Sequence, residues 1–179
     1  PGRDLMTTID RNIQVQVDAI LAQQVARTGA LSGTAIVMET ATGEIFALST
    51  IRRGPDGEYS AESGNFAAVE AHEPGSVAKV FSISAALEAG VISPESTFVV
   101  PGSQVFDEGT EWETVLSDAY PHGTEPMTVR RILVDSSNLG TVMASQLLSD
   151  RARHDALRAF GFGERTALGF PGESKGLLA

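Results

Sequence analysis

The chain has 179 residues, a formal net charge of −10, 42% hydrophobic residues and a mean hydropathy of +0.01: room for one domain with a real core, and the balance of an ordinary globular protein. The acidic excess argues against a nucleic-acid surface, which needs clustered Lys and Arg to neutralise phosphates. The absence of cysteine removes disulfides, zinc–thiolate sites and thiol nucleophiles together, and no apolar run reaches the roughly 18–20 residues of a membrane span.

In chain order, "LMTTI" (5–9) reads as a short strand. Asp10 then caps a helix over about 11–27, with Ile13, Val17, Ile20, Leu21 and Val25 on one face at helical spacing. "SGTAIVMET" and "GEIFALST", joined through "ATGE", predict an antiparallel hairpin. The polar, Gly-containing stretch "RRGPDGEYSAESGN" (52–65) predicts a loop. A helix is expected from near Ser76 to Ala89, with Gly90 as its C-cap. Residues 93–125, dense in Pro, Gly, Asp and Glu, form the least regular part. "TVRRILVDSSNLGTVMASQLL" (128–148) predicts helix, break and helix, with Thr128 as N-cap, and a last helix follows around 150–160 before "GFGER". There is no internal repeat and no low-complexity segment.

Chemistry concentrates at "EPGSVAK" (73–79). Of 13 Lys and Arg residues only Lys79 and Lys175 are lysines, so the lysine here points to a nitrogen that can lose its proton, which Arg cannot supply. On a helix Ser76 and Lys79 (i, i+3) share a face. A lysine desolvated in a pocket is a base able to take the serine proton, and the helix N-terminus favours a developing oxyanion. Taken alone, S-x-x-K is more often a capping serine beside a solvated lysine. A second element, Ser136-Ser137-Asn138, falls in the break between the two later helices. Its hydroxyl can relay a proton, and the Asn138 amide can bond the lysine and a substrate amide at once. Alone, it reads equally as a capping cluster. The competing Ser63-Gly64-Asn65 lies in a polar loop just ahead of the nucleophile and reads as turn chemistry.

Together these motifs resemble the transpeptidase domain of class B penicillin-binding proteins, whose set is S-x-x-K, S-x-N and K-T-G. "TTIDRNIQ" (7–14) resembles that family's entry into its first helix, and "IVMETATGEIFALST" (36–50) its first hairpin. The run from Asn65 through "EPGSVAK", then "SSNLG" and "FGFG…PGE", follow in the family's order and extend the likeness over essentially the whole chain. The resemblance implies an α+β (α/β sandwich) fold of the penicillin-binding-protein and serine β-lactamase kind, with residues 1–179 the first portion of one such domain. It implies peptidoglycan D,D-transpeptidation. The serine attacks the D-Ala-D-Ala bond of a stem peptide, D-alanine leaves, and a neighbouring stem's amine resolves the acyl-enzyme; β-lactams stall it as mimics. Carried over by residue, Ser76 is the nucleophile, Lys79 its base, Ser136 the proton relay, and Asn138 orients Lys79 and the substrate. No cofactor or metal is implied. The implied partners are the stem peptide, β-lactams, a membrane glycosyltransferase and other division or elongation proteins. The implied location is the extracytoplasmic face of the bacterial membrane, with the anchor outside this segment.

Two departures stand out. Val77 occupies the position after the nucleophile where the family usually has Thr, and no K-T/S-G occurs. Lys175-Gly176 lacks the middle hydroxyl and its context, so the third motif and the strand bearing it are expected beyond Ala179. A serine β-lactamase or carboxypeptidase using the same Ser/Lys pair, and a non-catalytic module of the same fold, stay open as alternatives. His72, His122 and His154 lack metal-like spacing or a partner carboxylate on a shared helical face, so structural or solvated roles are expected. Trp112 and Tyr120 could line a groove or anchor a loop.

Overall fold

The computed structural model describes residues 2, 4–166 and 168–178. Two compact units emerge: Pro1–Ala71 with Leu168–Ser174, and His72–Ala167 with Lys175–Ala179.

The first unit is a helix on a small antiparallel sheet. Helix α1 (Arg11–Thr28) starts where the Asp10 carboxylate accepts from the Asn12 and Ile13 amides at 2.8 and 3.1 Å, and it stops at left-handed Gly29 (φ 67°). Strands β1 (Ser32–Met38) and β2 (Ile45–Arg53) form the expected hairpin, in register from Ser32 opposite Arg52 to Val37 opposite Ala47. A third strand, β3 (Tyr59–Ala61), pairs with the end of β2, so part of the stretch expected as loop is sheet. Short helix α2 (Phe66–Val69) follows, and the Arg52 guanidinium lies 4.8 Å over the Phe66 ring while bonding Glu70.

Before β3 begins, β2 lacks a partner on its second edge, and α1 and the segment ahead of it make up the bonds. The Gln14 amide donates to the Leu48 carbonyl (3.1 Å) and accepts from the Leu48 N–H (2.9 Å). The Thr8 hydroxyl and the Asp10 N–H serve the carbonyls of Ile45 and Phe46. Residues 5–9 are therefore not the predicted strand; Leu5 and Met6 face solvent with nothing to bury them. Ile20, expected on the packed face, is 66% exposed, because the stripe against the sheet runs through Gln14, Asp18, Leu21 and Val25. Helix and sheet approach closely at Gly33, where a β-carbon would stand 2.7 Å from Val25.

In the second unit a 3-10 turn (Gly75–Val77) leads into α3 (Ala78–Glu88), so Ser76 sits in that turn rather than within the helix. The region expected to be irregular, 93–125, holds three strands, β4 (Thr97–Val100), β5 (Ser103–Phe106) and β6 (Thr114–Ser117), and a fourth, β7 (Glu125–Thr128), begins at its end. β4 pairs with β7, and the β5–β6 hairpin is nested between them in sequence. Thr128 caps α4 (Val129–Val134) as predicted; then come α5 (Asn138–Ser145) and α6 (Asp150–Ala159). One apolar cluster joins Ile83 and Ala86 of α3 to Ile92, Val129, Ala144 and Leu148. A second gathers Val100, Met127, Ile132 and Leu139. Phe160 and Phe162 each meet the Phe81 ring edge-on at 5.0 Å, so "FGFG" holds α3 from the side. Both units mix helices with antiparallel strands, the α+β class expected.

Candidate active site

Sequence-predicted site residues Ser76, Lys79, Ser136 and Asn138 all belong to the second unit, whereas Ser63 and Asn65 belong to the first. Ser76 is exposed, and among the described residues its hydroxyl has no hydrogen-bond partner. Lys79, in the first turn of α3, is partly buried and donates to the Ser136 hydroxyl at 3.0 Å and to the Ser136 carbonyl. Burial lowers the Lys79 pKa, and the Asp118 charge opposes that only in part.

The break between α4 and α5 explains how one residue offers two acceptors. Ser136 has φ 54°, a left-handed backbone that a residue with a β-carbon adopts only when its surroundings impose it. The surroundings do so here. The Ser136 and Ser137 amides close α4 on the carbonyls of Leu133 and Ile132. Buried Ser137 caps α5, its hydroxyl accepting from the Gly140 N–H at 2.9 Å. Gly140 is required at that spot, since a β-carbon would lie 2.5 Å from Ile132 of α4 and 3.0 Å from the Ser137 oxygen. "SSNLG" is thus a turn that aims both Ser136 oxygens at Lys79.

Asn138 departs from the expectation. Its amide donates to the Ser117 carbonyl at 2.7 Å, and no bond joins it to Lys79 among the described residues; the Ser136 carbonyl holds that place. Two residues that sequence reasoning missed complete the surroundings. The Asp118 carboxylate accepts from the Asn138 and Leu139 amides at 2.6 and 3.1 Å, the open N-terminus of α5. His122 Nε2 lies 3.0 Å from the same carboxylate, and its Nδ1 faces the Gly123 carbonyl and Glu125. His122 therefore has carboxylate partners although it shares no helical face with them, because the loop after β6 folds back on itself. Burial opposes the Asp118 charge, yet bonds from Ser137, Leu139, His122 and Asn138 outweigh it and hold the carboxyl below its usual range. The only advance signal was an Asp and a His four apart in "SDAYPH". Trp112 and Tyr120 are 73% and 77% exposed.

This arrangement presents a hydroxyl that is unbonded among the described residues on a helix-starting turn, a lysine three residues on whose pKa burial lowers, and a second hydroxyl bonded to that lysine. Those are the components of serine-based acyl transfer. A family model described as the penicillin binding protein transpeptidase domain matches residues 33–179. Penicillin-binding protein PbpB of Mycobacterium tuberculosis is 36% identical over 99% of this chain and 26% of its own length. The probable peptidoglycan D,D-transpeptidase PenA of Neisseria flavescens is 32% identical over 99% of this chain and 43% of its length. The crystal structure of penicillin binding protein 3 from M. tuberculosis, complexed with ampicillin, superposes with a TM-score of 0.82 at 35% identity, covering 96% of this chain and 38% of that one. The chain belongs to the penicillin-binding protein transpeptidase family and has its fold. It spans about a quarter to two fifths of the length of these relatives.

Proposed function

We propose that the whole protein is a peptidoglycan D,D-transpeptidase working through a serine acyl-enzyme, and that both units of this chain are parts of one transpeptidase domain. Ser76 is the nucleophile and Lys79 its base. Lys79 takes the hydroxyl proton as Ser76 Oγ bonds to the carbonyl carbon of the penultimate D-alanine. As the C–N bond breaks, the proton returns through Ser136 to the departing D-alanine amine. The amine of a neighbouring stem peptide then attacks the ester, passes its proton back along the same route and restores Ser76. Asn138, anchored on Ser117, holds the edge of the site against the substrate.

The observation that carries this reading is the Lys79–Ser136 bond of 3.0 Å, with exposed Ser76 on the turn that opens the Lys79 helix. The relatives named peptidoglycan D,D-transpeptidase and the ampicillin complex of a 35% identical structure support it, and point to β-lactams as mimics of the same substrate. The cell-wall substrate places the domain outside the cytoplasm; among the described residues no helix is long and apolar enough to cross a membrane. A membrane glycosyltransferase and other division or elongation proteins are the partners this role entails.

Incubating the whole protein with a β-lactam should add one drug mass to the peptide containing "EPGSVAK", and Ser76→Ala should abolish the adduct. Lys79→Arg should be nearly as damaging, since a guanidinium keeps the charge but cannot act as base. Label on another serine, or label surviving Ser76→Ala, would sink the assignment.

A further inference from the structure

The acyl-transfer roles leave the Asp118–His122 pair unused, although Asp118 bonds the first amides of the helix that follows Ser136. The Asp118 side chain is 7% exposed and that of His122 15%. One carboxylate, Asp118, thus serves the two α5 amides and His122 together. His122 has an acceptor at each ring nitrogen: Asp118 Oδ2 at 3.0 Å from Nε2, and the Gly123 carbonyl at 2.6 Å from Nδ1, with Glu125 Oε1 at 3.6 Å. A neutral imidazole has one N–H and one lone pair, so only the imidazolium donates on both sides. Glu125 accepts from Arg131 at both carboxylate oxygens, at 3.0 and 3.1 Å, so its Oε1 is shared between Arg131 and His122, and Arg131 reaches Asp135 at 2.9 Å. The break that holds Ser136 is therefore gripped at both ends, by Arg131 on Asp135 and by Asp118 on the first amides of α5.

We propose that Asp118 and His122 are a positioning pair: protonated His122 fixes the Asp118 carboxylate on the N-terminus of α5, and Asp118 thereby keeps Ser136 in register with Lys79. The inference rests on the acyl-transfer reading of Ser76, Lys79 and Ser136. Neither residue touches the reacting atoms. They act through the placement of Ser136, where a small displacement separates the relay from the base.

The pair has a pH signature. Facing His122 are Asp118 after β6 and Glu125 on β7; beyond Asp118 stands Lys79 of α3, and beyond Glu125 stands Arg131 of α4. The Gly123 carbonyl bond, then the Asp118 bond and the two carboxylate charges, raise the His122 pKa above the usual histidine value. A raised pKa means the imidazolium is present below it and lost as pH rises through it. The grip on α5 therefore loosens on the alkaline side, while the fraction of Lys79 present as the free amine grows as pH rises. Acylation should show a falling alkaline limb that belongs to His122.

The test is stopped-flow acylation of the whole protein by a fluorescent penicillin across pH, separating initial binding from the acylation step. His122→Gln keeps a donor for Asp118 but cannot titrate. It should acylate about tenfold more slowly near neutral pH, as expected for one weakened charged hydrogen bond, with initial binding unchanged and the falling limb gone. Glu125→Gln removes a carboxylate beside Nδ1 and should shift that limb to lower pH. It carries the test alone if His122→Gln does not fold. Wild-type labelling at Ser76 with both variants matching wild-type rate and limb overturns the pair alone. A wild type that takes no label at Ser76 overturns the acyl-transfer reading and the pair with it.

Discussion

The Lys79 ammonium sits where burial disfavours charge, and Asp118 restores only part of what water would supply. Lys79→Met keeps the apolar stem and removes the charge. It should melt at or above the wild-type temperature at neutral pH while losing acylation. The folded pKa lies below the 10.5 of the free side chain. The native state therefore sheds its proton first, so wild-type stability rises through that window and the difference should close at alkaline pH. A neutral-pH melt well below wild type would show that the bonds to Ser136 outweigh the desolvation. Ser136 gives a complementary case. Its left-handed backbone costs a residue with a β-carbon roughly 1–2 kcal/mol, so Ser136→Gly should stay within about 1 kcal/mol of wild-type stability in urea. Ser136→Ala, which keeps that strain, should be the less stable of the two; both should acylate poorly. A scarce lysine three residues after a serine and an S-x-N in a helix break were legible in the sequence. The Asn138 bond to Ser117, the Asp118 carboxylate and the His122 contacts were not. The Asn138–Ser117 bond and the grip of Asp118 on α5 depend on an approach between residues some twenty positions apart, which no local spacing encodes, and the His122 contacts depend on the fold of a loop that has no periodicity.

Among elements, the longer helices and the first hairpin announced themselves through period and caps: Asp10 and Thr128 cap α1 and α4 where the sequence placed them, while short α2 gave no such signal. The strands β4 to β7 did not. Each has four residues, too few for alternation to register, and β4 pairs with β7 across the whole length of the β5–β6 hairpin that separates them in sequence. The contact between α4 and α5 yields a prediction at this scale. Gly140→Ala places a methyl 2.5 Å from Ile132 Cγ1 and 2.8 Å from its Cδ1. It should cost about 1–3 kcal/mol, as overpacked cores do. Because the same shift moves Ser137 and Ser136, acylation should fall together with urea stability. A variant as stable and as fast as wild type would mean the helices part without disturbing the turn.

For the molecule as a whole, β1 stands at the edge of its three-stranded sheet, with Ile36 and Met38 52% and 56% exposed on one face. An unpaired edge beside apolar surface invites pairing between copies. The 179 residues expressed alone should therefore self-associate with rising concentration in light scattering, and Ile36→Lys should reduce that association. A monomer at all concentrations would count against it. The first unit has a second property of consequence: its sequence is interrupted, and Leu168–Ser174 rejoins it only after the long first stretch of the second unit, His72–Ala167, has been spelled out. The Ser174 N–H closes on the Ala68 carbonyl at 2.8 Å, and Glu173 is buried. At about 5–20 residues per second of synthesis, the first unit waits on the order of several seconds to tens of seconds for its final segment. During that interval the ribosome's pace, not the chain's own chemistry, sets how long an incomplete assembly is open to chaperones and proteases.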